Sequence, residues 1–310
     1  MTSSADAALD LPVSSLLWCC TFMLAPIVAS YVLDLGLHAN LLVASCRTMA
    51  QLSLLGVILA PVFSYDSIVP VSVMLVVSLL VAAREAYARP SHVYPGMFFV
   101  CLLSMLLSVA VSLTLCIAFV VPVRPWWSAR YLVPLNGMLL GATLSGTTIA
   151  LDHLLSEFSQ WRGRLECYLA FGASWWETIA PLLASSVRTG MLPTINTMNV
   201  IGLVSIPGMM TGQLLAGQEP ATASRYQIVI MFMISLSVCV SVGASTLITS
   251  WLMFDGQLRL RDGFLSKVQG KRTDIFVWLC RQVYGCLSWP FVRARDSSSD
   301  YVVLRSVSAE

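Results

Sequence analysis

The chain has 310 residues, 57% of them apolar and 11% charged, and a mean hydropathy of +0.79. A water-soluble domain carries about 25% charged and about 45–50% apolar residues, so the composition excludes one. The net charge of +2 leaves no nucleic-acid footprint.

The first 13 residues read as a short N-terminal tail. Asp6 and Asp10 are its only charges, so the apolar window after them lacks the basic start of a cleavable signal. Windows long enough to cross about 30 Å of hydrocarbon as helices fall at residues 14–33, 41–62, 67–83, 97–121, 131–151, 193–217 and 226–254. None alternates apolar with polar residues as a barrel strand does. Inside lipid each backbone amide needs a partner within its own element, which favours helices. The predicted fold is all-α: a polytopic membrane protein of about seven transmembrane helices, with residues 14–255 as the membrane domain. Placing the N-terminus outside puts fourteen Lys and Arg on the inner connections and tail against three on the outer ones. That bias predicts an outside N-terminus and a cytoplasmic C-terminus.

Span two carries Arg47 and Gln51 one turn apart, a costly pair that either faces the bundle or snorkels. Span five carries the small-residue ladder Gly137, Gly141 and Ser145. The inner segment 152–190 follows. There Glu166 opens a run with helical spacing, Gly172 is placed to stop it, and Ser174 is placed to cap the next helix. Two short helices meeting at a glycine predict a protruding knob over Glu166, Gly172, Ala173 and Ser174, as opposed to a plain interfacial loop. Span six contains Pro207, Gly208, Met209, Met210, Gly212 and Gln213 at its middle. Proline removes a helical hydrogen bond, so a kink or break is expected there. Gly208 and Gly212 form a small-residue pair matching the span-five ladder, and spans five and six are read as a tightly packed pair. Gln227, beside Tyr226, opens span seven and is either interior or snorkelling.

The tail, residues 256–310, reads as a cytoplasmic appendage with an interfacial helix marked by Ile275, Phe276, Leu279, Val283 and Leu287. Cys280 and Cys286 there are either palmitoylation sites or ordinary cysteines, and Tyr301–Leu304 has the form of a sorting signal. Most other cysteines lie in apolar runs and read as small hydrophobes rather than a disulfide or zinc framework. Gly270-Lys271 is followed by Arg272, not by the Ser or Thr of a phosphate loop, and His38, His92 and His153 make no metal-type pair. No catalytic residue, resident metal or cofactor is expected. The bilayer is the evident partner, and nucleic acid is not one.

The run Glu166, Gly172-Ala173-Ser174, Arg188-Thr189, Pro193-Thr194, Gly202-Leu-Val-Ser-Ile-Pro207-Gly-Met-Met-Thr-Gly212, Ala216-Gly217, Pro220, Ala223 and Tyr226-Gln227-Ile228 resembles a family of ABC-transporter membrane subunits. It includes the bacterial Fet-type iron-export permease and the plant aluminium-sensitive and sensitive-to-aluminium-rhizotoxicity proteins. Arg47-Thr-Met-Ala-Gln51 resembles that family's second span. The likeness covers residues 14–255 and implies a half-transporter, working as a homodimer with a separate ABC ATPase subunit. Glu166 with Gly172 six residues on also resembles the ATPase-docking loop of importer permeases, although Cys167-Tyr168 and Pro181 depart from it. Bacterial members imply iron export and plant members UDP-sugar transport or aluminium tolerance, and the residues do not choose. A channel or membrane-organising protein without an ATPase is the alternative from another class.

Overall fold

The structure, a computed structural model, describes residues 13–65, 67–120, 127–254 and 265–267. Nine α-helices occur among them: α1 (Val13–Val32), α2 (His38–Tyr65), α3 (Ile68–Ala88), α4 (Met97–Leu115), α5 (Ala129–Gln160), α6 (Arg162–Ala170), α7 (Trp175–Val200), α8 (Gly208–Leu215) and α9 (Pro220–Met253). A π-turn at Cys116–Val120 ends α4. The two-residue strands β1 (His92–Val93) and β2 (Ser266–Lys267) pair antiparallel. Among the described residues, five helices are long and apolar enough to cross a membrane: His38–Ser64, Ile68–Ala88, Met97–Ala118, Ala129–Gln160 and Pro220–Met253.

The window at 14–33 is the helix α1, whose described apolar stretch Thr21–Val32 is shorter than a full span. The window at 193–217 is corrected. It is not one helix, because α7 starts at Trp175, ends at Val200, and is followed by the separate α8. A charge-free window misses the start of α7, which contains Glu177 and Arg188, and hydropathy is blind to a break lined by Leu203, Val204 and Ile206. The segment 152–190 is likewise almost wholly helical, formed by the end of α5, by α6 and by the start of α7.

The chain divides into two compact units. In the first (Met1–Ser72, Arg124–Leu132, Ile206–Ile228), α1 and α2 form a hairpin. Its turn is closed by Asp34 and Gly36 at positive φ and by the Leu37 N–H donating to the buried Ser30 hydroxyl at 3.0 Å.

The second unit (Val73–Val123, Val133–Ser205, Val229–Glu310) holds the main core, where Met97, Cys101 and Met105 of α4 meet Leu139, Leu151, Leu154 and Leu155 of α5. Its apolar helices are stitched by hydroxyls. Ser108 of α4 meets Ser237 of α9 at 2.6 Å, Thr147 of α5 meets Ser241 at 2.9 Å, and Asn136 donates to Ser78 at 2.9 Å. Where lipid is as apolar as the side chains, such bonds and close backbone approach replace hydrophobic drive.

The α3–α4 connection is tied on three sides. Ser91 N–H donates to the Asp152 carboxylate at 2.7 Å, the Tyr94 hydroxyl meets Thr249 at 2.8 Å, and β1 pairs with β2. The tail is therefore joined to the membrane domain at residues 265–267, with Leu265 packed against the main core. The expected tail helix at 275–287, Cys280, Cys286 and Tyr301–Leu304 lie outside the described residues.

Candidate functional site

Two interruptions flank α7, and they carry most of the residues singled out in the sequence. The first is the turn between α6 and α7. Helix α6 buries Leu165 and packs Leu169 against the main core, and its other side carries Arg162, Arg164 and Glu166. Glu166 accepts from Arg162 at 3.0 Å, an exposed i,i+4 ion pair worth only a few tenths of a kcal/mol. Arg164 lies over the Trp161 and Tyr168 rings, 5.5 and 5.8 Å from their centroids.

The end of α6 is a complete Schellman motif. Gly172 takes φ +87, its N–H donates to Leu169 O at 3.0 Å, and Ala173 N–H donates to Tyr168 O at 3.0 Å. Ser174 then opens α7 with a capping box. Glu177 N–H donates to Ser174 Oγ, and the Ser174 N–H and hydroxyl donate to the Glu177 carboxylate at 2.8 and 2.7 Å. The Ser174 hydroxyl, and then its backbone N–H, hold the Glu177 carboxyl below the usual carboxylate range. Only Phe171, Gly172 and Ala173 separate the last residue of α6 from the cap residue of α7. The expected pair of short helices is thus one short and one 26-residue helix, since α7 continues through Pro181 and Pro193.

The second interruption follows Val200. Ile201 is extended and Gly202 takes φ +84, with its N–H donating to Ser205 O at 2.9 Å. Leu203 is 91% exposed and Val204 83%. The break therefore centres on Gly202 and not on Pro207, which sits one residue before α8, where no helical bond has to be given up. Pro207 O accepts from Thr211 N–H at 3.0 Å, no side chain caps the helix start, and Gly208 is its first residue. Met209, Met210 and Gln213 are half-buried, and Gly212 is exposed. Gln213 O accepts from Gln218 N–H in a second Schellman end at Gly217, φ +81.

Among the described residues, the expected packing glycines Gly137, Gly141, Gly208 and Gly212 mark no close helix approach. A Cβ at any of the four glycines would meet nothing within 4 Å. The close approach lies one residue further round α5. Gly146 O is 2.8 Å from where a Cβ on Gly190 of α7 would sit, and Ala150, Val238 and Val242 close the same contact. A shift of one residue turns a helix by about 100°, so a ladder of the right spacing named the wrong face. Ala142, Gly146 and Ala150 have the same four-residue period and were the signal. At the far side of this seam His153 Nδ1 meets Ser186 Oγ at 3.2 Å.

Arg47 and Gln51 are both exposed on α2, whereas Gln227 is buried on α9, its Oε1 without a hydrogen-bond partner among the described residues. Among the described residues no three His, Cys, Asp or Glu side chains gather as a metal site. The residue that the sequence reading passed over is Phe171, 90% exposed at the tip of the first turn. Its signal was available: the position before a C′ glycine is the helix C-cap, where a side chain leaves the helix.

Among the described residues, five apolar helices of membrane-crossing length, with α4 and α5 each joined to α9 by a hydroxyl pair, define an integral multi-pass membrane protein. The sequence profile of the Uncharacterised protein family UPF0014 matches residues 13–254, and the chain belongs to that family. A UPF0014 membrane protein of Synechocystis is 40% identical over 212 residues, 68% of this chain and 82% of that one. Protein ALUMINUM SENSITIVE 3 of Arabidopsis thaliana is 28% identical over 225 residues, 72% and 81% of the two chains. The probable iron export permease protein FetB of Escherichia coli is 26% identical over 229 residues, 74% and 85%. No solved structure gives a significant match. The family match ends at residue 254, so β2 lies beyond it.

Proposed function

We propose that the chain is the membrane-spanning subunit of an ABC half-transporter, driven by a separate ATPase subunit and exporting a metal ion, with iron as the first candidate and metal or aluminium tolerance as the consequence. The observation that carries this reading is the likeness to a protein named as a probable iron export permease over 85% of that protein's length. The doubly capped knob between α6 and α7 supports it, because an external motor needs a stiff handle. The 310 residues contain no Gly-x-x-x-x-Gly-Lys-Ser/Thr loop of their own, and catalysis is assigned to the partner.

In this reading the N-terminus is outside, the knob is cytoplasmic, and a second copy completes the pathway. Helix α1 and helix α7 are the two remaining crossings. At about 1.5 Å per residue, the 26 residues of α7 reach roughly 39 Å, more than the hydrocarbon needs. The Gly202 break then lies at the outer end of α7, not at mid-depth.

Closure of the ATPase on nucleotide pulls the knob. The capping box passes that pull to α7, since Ser174 and Glu177 fix the angle between the turn and the helix. The Gly146–Gly190 seam makes α7 move against α5 and α9 as packed bodies rather than bend. The displacement reaches the break at Ile201–Ser205, where an exposed apolar loop changes position. Gln227, near the start of α9, offers a buried amide oxygen for a polar cargo to meet.

The test is purification of the full-length chain from its own membranes with Mg–ATP hydrolysis followed through the final column. Hydrolysis is expected to co-elute with the native chain and to be lost with Gly172→Trp, which forces a side chain into φ +87. Equal hydrolysis with both chains, or transport in cells stripped of ABC ATPases, overturns the proposal.

A further inference from the structure

We infer that Phe171 is the anchor by which the ATPase grips the knob, and that Glu166, Gly172 and Ser174 shape the turn without contacting the partner. The inference rests on the ATPase-driven reading above.

Phe171 is the most exposed apolar side chain of the turn, ahead of Trp176, Tyr168 and Trp161. Leu165 is buried, Leu169 packs against the main core, and Trp175 is turned into the same core. The Trp161 and Tyr168 rings lie against the Arg164 guanidinium. Phe171 stands out at 90% exposure, with Trp176 at 56% on the first turn of α7. Its backbone is immobilised from both directions: its N–H donates to Cys167 O at 3.0 Å, the Schellman bonds of Gly172 and Ala173 follow, and the capping box begins at Ser174. An aromatic ring with few rotatable bonds on a fixed backbone loses little freedom on binding, which is what a hot-spot residue requires.

The surroundings select the kind of partner. Arg162 and Glu166 pair with each other, the Glu177 carboxylate is turned onto Ser174, and the four formal charges Arg162, Arg164, Glu166 and Glu177 cancel. A helix built to lie on lipid keeps an apolar face outward and an excess of Lys and Arg. Helix α6 does neither, because its leucines face the protein core and its rim is neutral. A protruding Phe171 with Trp176 beside it, inside a ring of mixed charge, matches an apolar pocket on a soluble protein with a polar rim. Glu166 already has its partner in Arg162, and Gly172 has no side chain to offer.

The experiment uses the full-length chain in its own membranes with p-benzoyl-phenylalanine at position 171, irradiated and analysed by mass, together with Phe171→Ala and Phe171→Trp. The expected photoproduct joins the chain to a polypeptide containing a phosphate-binding glycine loop. Co-purifying Mg–ATP hydrolysis is expected to fall roughly 30-fold or more with Phe171→Ala, the scale of truncating a hot-spot anchor. It should stay within about threefold of native with Phe171→Trp, the conservative aromatic replacement. Since Phe171 is 90% exposed, unchanged thermal unfolding of Phe171→Ala confirms that folding is not the cause. A phospholipid adduct, or an adduct to a second copy of this chain, overturns the inference. So does full hydrolysis in Phe171→Ala while Gly172→Trp loses it, an outcome that leaves the docking reading standing. If neither substitution changes co-purification, the docking reading itself falls.

Discussion

The two interruptions at the ends of α7 contain the same local device, a glycine at positive φ, yet they are held in opposite ways. At the α6–α7 turn Gly172 is enclosed by a Schellman motif on one side and a side-chain capping box on the other. At the α7–α8 break Gly202 is held by backbone bonds alone, α8 has no side-chain cap, and Leu203 and Val204 touch little. A glycine by itself therefore does not say whether a turn is stiff or loose. The neighbouring side chains decide, and here they cap the turn at one end of α7 twice over and leave the break at the other to backbone bonds.

Substitutions can break or sharpen that contrast. The largest effect is expected at Gly190, which holds the helix common to both ends. A Cβ there would lie 2.7 Å from Ala150 Cβ and 2.8 Å from Gly146 O. Gly190→Val should cost about 1–3 kcal/mol of overpacking, seen as a lower thermal midpoint in nanodiscs, whereas Gly141→Val should change little within the chain. Next, Gly172→Ala should cost about 1–2 kcal/mol, because the caps prevent the turn from relaxing. Gly202→Ala meets the same φ penalty but should shift the midpoint less, since its loop is free to rearrange. Equal shifts would erase the distinction between the capped turn and the open break.

Ser174→Ala should cost about 1 kcal/mol, read in the same melt, together with faster hydrogen exchange at the start of α7. The Glu177 half of the cap is pH-dependent. A carboxyl held below its ordinary range contributes fully above that range and loses its contribution as the pH falls through its lowered value. Protection of the Ser174 amide should therefore decline on acidification in the native chain and stay flat in Glu177→Gln. The smallest effect is expected for Pro207→Ala, within about 0.5 kcal/mol, because Pro207 precedes α8 and interrupts no helical bond.

Much of this was legible in the residues. Hydropathy located the apolar helices because lipid imposes one simple rule on every window. The knob was legible because capping chemistry is local: Gly172 and Ser174 signal a stop and a start within three positions. Three features were not legible. The α7–α8 boundary was hidden because Leu203, Val204 and Ile206 keep the window apolar across a backbone break. The packing face of α5 was missed because Gly137-Gly141-Ser145 and Ala142-Gly146-Ala150 share one period, and only the neighbouring helices Gly190 and Val238 belong to distinguish them. The β1–β2 pair joins residues more than 170 positions apart through two residues a side, with no alternating pattern to announce it.

The central question is whether nucleotide drives movement of cargo through the knob. Inverted membrane vesicles containing the full-length chain and its co-purifying ATPase, loaded with ferrous iron outside, give the most direct measurement. The account predicts iron uptake that requires Mg–ATP and disappears with Gly172→Trp. Iron flux of equal rate without ATP, or untouched by that substitution, would contradict it.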